Sequence, residues 1–143
     1  MAATLTQIRE GLAANLAALD DVQVSPYMLA NPTPPTVHLY PGGAAGDIEY
    51  DLAMRRGLDR WPFTVQAFVG SPSDIGAQVR LDEFIAPSGA RSVKTVLEAD
   101  PTLGGIVGGL QVVSCGGYRL YVFEGRAPVL GAEWHVEVLS TGI

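Results

Sequence analysis

Any chemistry in this chain must come from few side chains. The histidines are His38 and His135, the sole cysteine is Cys115 and the sole lysine is Lys94. A zinc site announces itself by closely spaced ligand pairs. No second His or Cys stands two or four residues from either histidine, so no metal is expected. A serine hydrolase needs its nucleophile on a strained turn of the Gly-x-Ser-x-Gly kind. Here the nearest stretch is Gly70-Ser71-Pro72-Ser73-Asp74, where Pro72 removes the N–H that an oxyanion hole would use. Ser71 therefore reads as a helix cap. The glycines of Leu103-Gly104-Gly105-Ile106-Val107-Gly108-Gly109 lack the Gly-Lys-Ser/Thr ending of a phosphate loop and precede a strand rather than a helix. They read as a helix-to-strand connection. Asp82-Glu83 and Asp20-Asp21 are adjacent carboxylates, which on a helix do not face each other and read as solvated surface. The expectation is a protein without catalytic residues, cofactor or metal.

Arg55-Arg56 stands apart. It is the only adjacent basic pair in a chain of net charge −6. Two arginines without flanking lysines are too few to hold nucleic acid, whose affinity comes from many cationic contacts to phosphate. An ion pair within the chain or with a neighbouring subunit is the better expectation.

The elements that must position these residues follow from composition and period. With 143 residues the chain fits one domain, expected over 1–143, large enough to bury a core unaided. Hydrophobic residues at 48% exclude the disordered class, and a charged share of 17% leaves an unusually uncharged surface to cover. One cysteine cannot form an internal disulfide, and Cys115 reads as a buried small hydrophobe in a strand. Arg9 and Glu10 interrupt the first apolar pattern, so no secretory leader is expected. No apolar run approaches the roughly 18 residues of a membrane span. The chain is expected to be made in a cytoplasm.

Leu5, Ile8, Leu12, Leu16 and Leu19 recur at helical spacing, with Thr4 or Thr6 to cap the start and Asp20-Asp21 to stop it. Residues 22–28 predict a short strand that Pro26 confines to an edge. Prolines 32, 34 and 35 stiffen the connection to a second strand over 36–40. Ile48, Tyr50, Leu52 and Met54 alternate with Asp47, Glu49, Asp51 and Arg55, and Trp61, Phe63, Val65, Ala67 and Val69 alternate again. Period two in both runs predicts a long hairpin, with Pro62 marking an edge. Ser71-Pro72 predicts a helix with Ala77, Leu81, Phe84 and Ile85 inward. A shorter helix runs from Ser88 or Arg91 to Ala99, with Val93, Val96 and Leu97 inward. Residues 110–115 and 118–124 read as strands joined at Gly116-Gly117 by a hairpin turn or a bulge. Leu130, Ala132, Trp134, Val136 and Val138 alternate with Glu133, His135 and Glu137 in a last strand, followed by a tail over 140–143. Blocks of strands and helices, rather than strict alternation, predict an α+β fold. Its sheet is mixed and mainly antiparallel, packed by an N-terminal helix and two central helices.

Several stretches together carry a family resemblance. They are Tyr50-Asp51-Leu52-Ala53-Met54-Arg55-Arg56-Gly57-Leu58-Asp59 with Trp61-Pro62-Phe63 and Val69-Gly70, then Leu81-Asp82, Ser88-Gly89 and Arg91-Ser92-Val93-Lys94. Leu97-Glu98-Ala99-Asp100-Pro101-Thr102-Leu103-Gly104-Gly105 follows, and Leu130-Gly131-Ala132-Glu133-Trp134-His135-Val136-Glu137-Val138 ends the series. In this order they resemble the tail-terminator, or tail-completion, proteins of siphophages that infect actinobacteria. The resemblance covers most of the chain. It implies a virion structural protein that forms a homo-oligomeric, usually hexameric, ring. That ring caps the major tail tube protein's tube and joins it to the head-closure or connector protein. It lets double-stranded DNA pass without binding it specifically, at the head-proximal end of the tail, with no membrane contact. The net charge agrees, since six copies would carry six times −6 and repel DNA. A head-closure or neck protein of the same connector is the alternative, and a cytoplasmic ligand-binding domain or enzyme the other. Asp47, Glu49, Asp51, Arg55 and Arg56, on the polar face of the expected hairpin, are the expected ring-interface or channel-lining residues. Three acids on one strand face repel each other unless something opposite accepts them.

Overall fold

The structure, a computed structural model, describes residues 3–140. Helix α1 (Leu5–Leu16) opens with a complete capping box. The Thr4 hydroxyl accepts from the Gln7 N–H at 3.1 Å, and the Gln7 side chain accepts from the Thr4 N–H at 2.9 Å. The helix ends at Leu16, before Asp20-Asp21, because Ala17 to Leu19 already fold back in turn hydrogen bonds. Leu19 is nonetheless buried, as its place on the apolar stripe requires.

Strand β1 (Gln23–Ser25) is three residues long and runs parallel to β2 (Thr36–Pro41). β3 (Asp59–Gly70) pairs antiparallel with β2 on one side and with β5 (Val129–Ser140) on the other. β4 (Gly109–Tyr121) completes the sheet, antiparallel to β5, in the order β1-β2-β3-β5-β4. Helices α2 (Ile75–Ile85) and α3 (Val93–Glu98) lie between β3 and β4 in the chain. The fold is therefore α+β with a mixed, mainly antiparallel sheet and three helices.

Alternation sorts the sheet into two faces. Val37, Leu39, Phe63, Val65, Ala67, Ala132, Trp134, Val136 and Val138 join the helices' Ile8, Leu12, Leu16, Leu81, Phe84, Val93 and Leu97 in one core. The other face carries His38, Thr64, Gln66, Glu133, His135 and Glu137, with a small apolar cluster of Phe68, Tyr121 and Val129 at one end.

Four expectations are corrected. First, residues 48–54 form no strand and no hairpin with β3. β2 and β5 already occupy both edges of β3 from Phe63 onward, so only its first residues have a free side. There Arg60 makes a single bridge to Glu49. Backbones at Asp51, Ala53 and Met54 turn left-handed, which ends any extended run. Second, Pro62 lies in a central strand. Its carbonyl accepts from Gly42 at 2.8 Å, so its missing N–H faces the side where β2 has already ended at Pro41. Third, Asp74 rather than Ser71 caps α2, accepting from the Gly76 N–H at 2.9 Å, and residues 71–73 form the preceding turn. Fourth, residues 110–115 and 118–124 are not two strands. One strand, β4, passes through Gly116-Gly117 with a register shift between Gly116 and Arg119. Positive φ at Gly117 supplies the bulge. The sheet thus has five strands.

Ser92 caps α3 by accepting from the Thr95 N–H at 3.2 Å. Ser140 closes β5 and is buried, while the rest of the expected tail lies outside the described residues. Among the described residues no helix is long and apolar enough to cross a membrane.

Candidate functional site

The residues expected at a ring interface fall in the segment between β2 and β3. It is a finger whose base is the Glu49–Arg60 bridge, closed by reciprocal backbone hydrogen bonds of 3.0 and 2.8 Å. A further bond of 2.7 Å from the Leu52 N–H to the Leu58 carbonyl narrows it. Two of the three expected interface acids are spent inside it. Glu49 pairs with Arg60 at 2.8 Å, and the Asp51 carboxylate accepts from the Gly57 N–H at 3.0 Å. Arg60 also meets Glu137 of β5 at 2.9 Å, which ties the finger to the sheet. Its guanidinium pKa is raised, by Glu137 first and Glu49 after it. Asp47, Arg55 and Arg56 are exposed, and among the described residues neither arginine makes an ion pair. The acids thus do not line one strand face. The left-handed turn at Asp51, Ala53 and Met54 costs about 1–2 kcal/mol per residue, so the surrounding hydrogen bonds must impose it. Its result is to present Met54, 98% exposed, next to Arg55 and Arg56.

Beside the finger's base, Gly109, Leu110, Gln111, Glu137 and Leu139 line a groove of about 220 Å³ at the end of the β4–β5 pair. The groove begins where β4 begins. β4 is the last strand of the sheet, so its outer backbone edge has no strand partner among the described residues. In this strand Val113, Tyr118 and Leu120 are exposed, with Arg119 its only charge, and the Glu98 carboxylate of α3 accepts from the Val112 N–H at 3.1 Å. Long apolar edges are templates for pairing with another chain, and bulges of the kind seen here restrain but do not remove that tendency. Cys115, expected to be buried, is exposed on this strand, where β4 has a strand partner on one side alone among the described residues. Its thiol pKa is raised, by local desolvation first and by Glu133 second.

The polar face of the sheet holds a connected hydrogen-bond chain that the sequence reading missed. The Leu29 N–H donates to His38 Nδ1 at 3.0 Å, which leaves the proton on Nε2. Nε2 donates to Gln66 Oε1 at 2.8 Å, and Gln66 Nε2 donates to Glu133 Oε2 at 3.1 Å. From the far side the Ser114 hydroxyl meets His135 Nδ1 at 3.0 Å, and His135 Nε2 meets Glu133 Oε1 at 3.4 Å. Both halves converge on Glu133 across β2, β3, β5 and β4. His38 is buried, and desolvation lowers its pKa although Gln66 opposes the shift. Each nitrogen of its neutral ring is satisfied, which is what burial demands. Tyr121 donates to the Gly117 carbonyl at 2.8 Å, and its pKa rises to about 12 through desolvation first and Glu133 second. Ser114, His135 and Glu133 are the residue types of a hydrolytic triad. Here Glu133 is also held by Gln66, and the three lie on the sheet face rather than at a strained turn, so the arrangement laces strands together. Glu133 and His135, two apart on one strand, were the legible part of this chain. Its partners on β2, β3 and β4 depended on a register that the sequence does not print.

Among the described residues no group of three metal-ligating side chains occurs, and the glycines of 104–109 link α3 to β4. No protein-family model matches the chain, and no curated protein matches it.

Proposed function

We propose that the chain is a structural virion protein, the tail terminator of a long-tailed bacterial virus. Copies assemble side by side into a ring that caps the tail tube, joins it to the head connector and lets DNA through. The observation that carries this reading is the β4 edge, which has no strand partner among the described residues and carries the exposed Val113, Tyr118 and Leu120. A protein that lives as a monomer shields such an edge, whereas a subunit with a permanent neighbour uses it. The family resemblance supplies which assembly, and the net charge of −6 supplies a surface that DNA does not stick to.

Adding the purified chain to unfinished tail tubes tests the reading by electron microscopy. A cap of density at one tube end, with arrested extension, is the expected image. Tubes that elongate at the same rate with bare ends would refute it, and bare tubes together with binding to tail-less heads, added in a parallel mixture, would move the chain to the head-closure role.

A further inference from the structure

We propose that the Met54–Arg56 tip of one copy docks into the groove lined by Gly109, Leu110, Gln111, Glu137 and Leu139 of a second copy. The proposal deepens the ring reading and rests on it. The tip is preformed: Asp51, Ala53 and Met54 hold left-handed backbone, and Asp51, Leu52, Leu58 and Asp59 lock the turn with hydrogen bonds. A preformed loop loses little freedom on docking. Methionine is the apolar side chain that adapts best to an irregular slot, and the groove's exposed lining is mostly apolar.

Charge selects the occupant. The tip carries the chain's only adjacent basic pair, and the chain as a whole is acidic. At the groove, Glu137 meets Arg60 through Oε1, and its side chain is still about a third exposed, at 32%. A second copy therefore offers Arg55 or Arg56 a carboxylate beside an apolar slot. The groove lies at the first residues of β4, the strand with no strand partner on its outer side among the described residues. Tip and groove are different patches on one chain, and a contact between different patches repeats head to tail, as a closed ring requires.

The test uses two variants of the full chain. The tip variant is Met54→Glu with Arg55→Glu, and the groove variant is Gln111→Glu with Leu139→Glu. Met54, Arg55 and Gln111 are exposed and Leu139 is at the margin of exposure, so both variants should fold, checked by circular dichroism and melting temperature. Each alone is expected to stay monomeric by light scattering. Mixed, they should form a one-to-one dimer and stop, because one intact tip and one intact groove remain. A milder Met54→Ala variant should raise the concentration needed for assembly at least about tenfold. Rings from the tip variant overturn the proposal, even if that variant loses its grip on tail tubes. So do two folded, monomeric variants that ignore each other. A wild-type chain that is itself monomeric fails the ring reading instead, a separate outcome.

Discussion

Arg60 Nε lies 2.9 Å from the Glu137 carboxylate, and the same guanidinium reaches Glu49 at 2.8 Å. One side chain at the start of β3 thus fastens the exposed finger to β5. Replacing Arg60 with Met keeps the stem and removes both ion pairs. Each pair is partly exposed, so global stability should fall by no more than about 1 kcal/mol. The local effect should be larger: amide exchange at Glu49 and Leu52 accelerates while exchange in the core strands does not. Unchanged exchange at those amides would show that the backbone bonds alone hold the finger.

Trp134 is 1% exposed and sits in the core formed by β5 and the helices. Trp134→Ala should cost about 3–5 kcal/mol in denaturant titration. A loss under about 1 kcal/mol would mean that the site collapses without leaving a cavity.

Gly131 packs so closely against β3 that a Cβ there would lie 2.5 Å from the Ala67 carbonyl oxygen and 3.0 Å from the Phe68 ring. Backbone cannot yield as a side chain can. Gly131→Ala should therefore lower stability by about 1–3 kcal/mol, measured by thermal melting. A melting temperature equal to that of the wild type would contradict the register of β3 against β5.

His38 is buried neutral, and its pKa is lowered chiefly by desolvation. The unfolded chain then binds the proton more tightly than the folded one. Stability should be complete above the ordinary histidine pKa of about 6.5 and decline as pH falls below it. His38→Gln should flatten the stability profile between about pH 5 and 7. A profile with the same slope in the variant would assign that dependence to other groups.

Most of the fold was legible because most of it is amphipathic. The stripes of α1, α2 and α3 and the alternation of β3 and β5 are facts of burial, and burial is what period reports. Residues 48–54 alternate too, yet no strand edge was free to receive them. Alternation shows that two faces differ, not that a partner exists. Gly116-Gly117 carried both a turn and a bulge in its chemistry, and only the continued pairing with β5 chose the bulge. Within the candidate site, Arg55 and Arg56 were visible as an unmatched basic pair. Glu49 and Asp51 looked equally available, but their partners Arg60 and Gly57 come from the fold of the finger. The groove was invisible in the sequence, because Gly109 to Gln111 and Glu137 to Leu139 meet only through strand register.

If copies of the chain close into a ring, as proposed, the mass of the protein in solution shows it most directly. Native mass spectrometry of the purified full chain across micromolar concentrations should give one closed oligomer, a fixed multiple of the 15.1 kDa subunit, with no ladder of larger species. A single peak at 15.1 kDa throughout that range, from folded protein, would contradict the account.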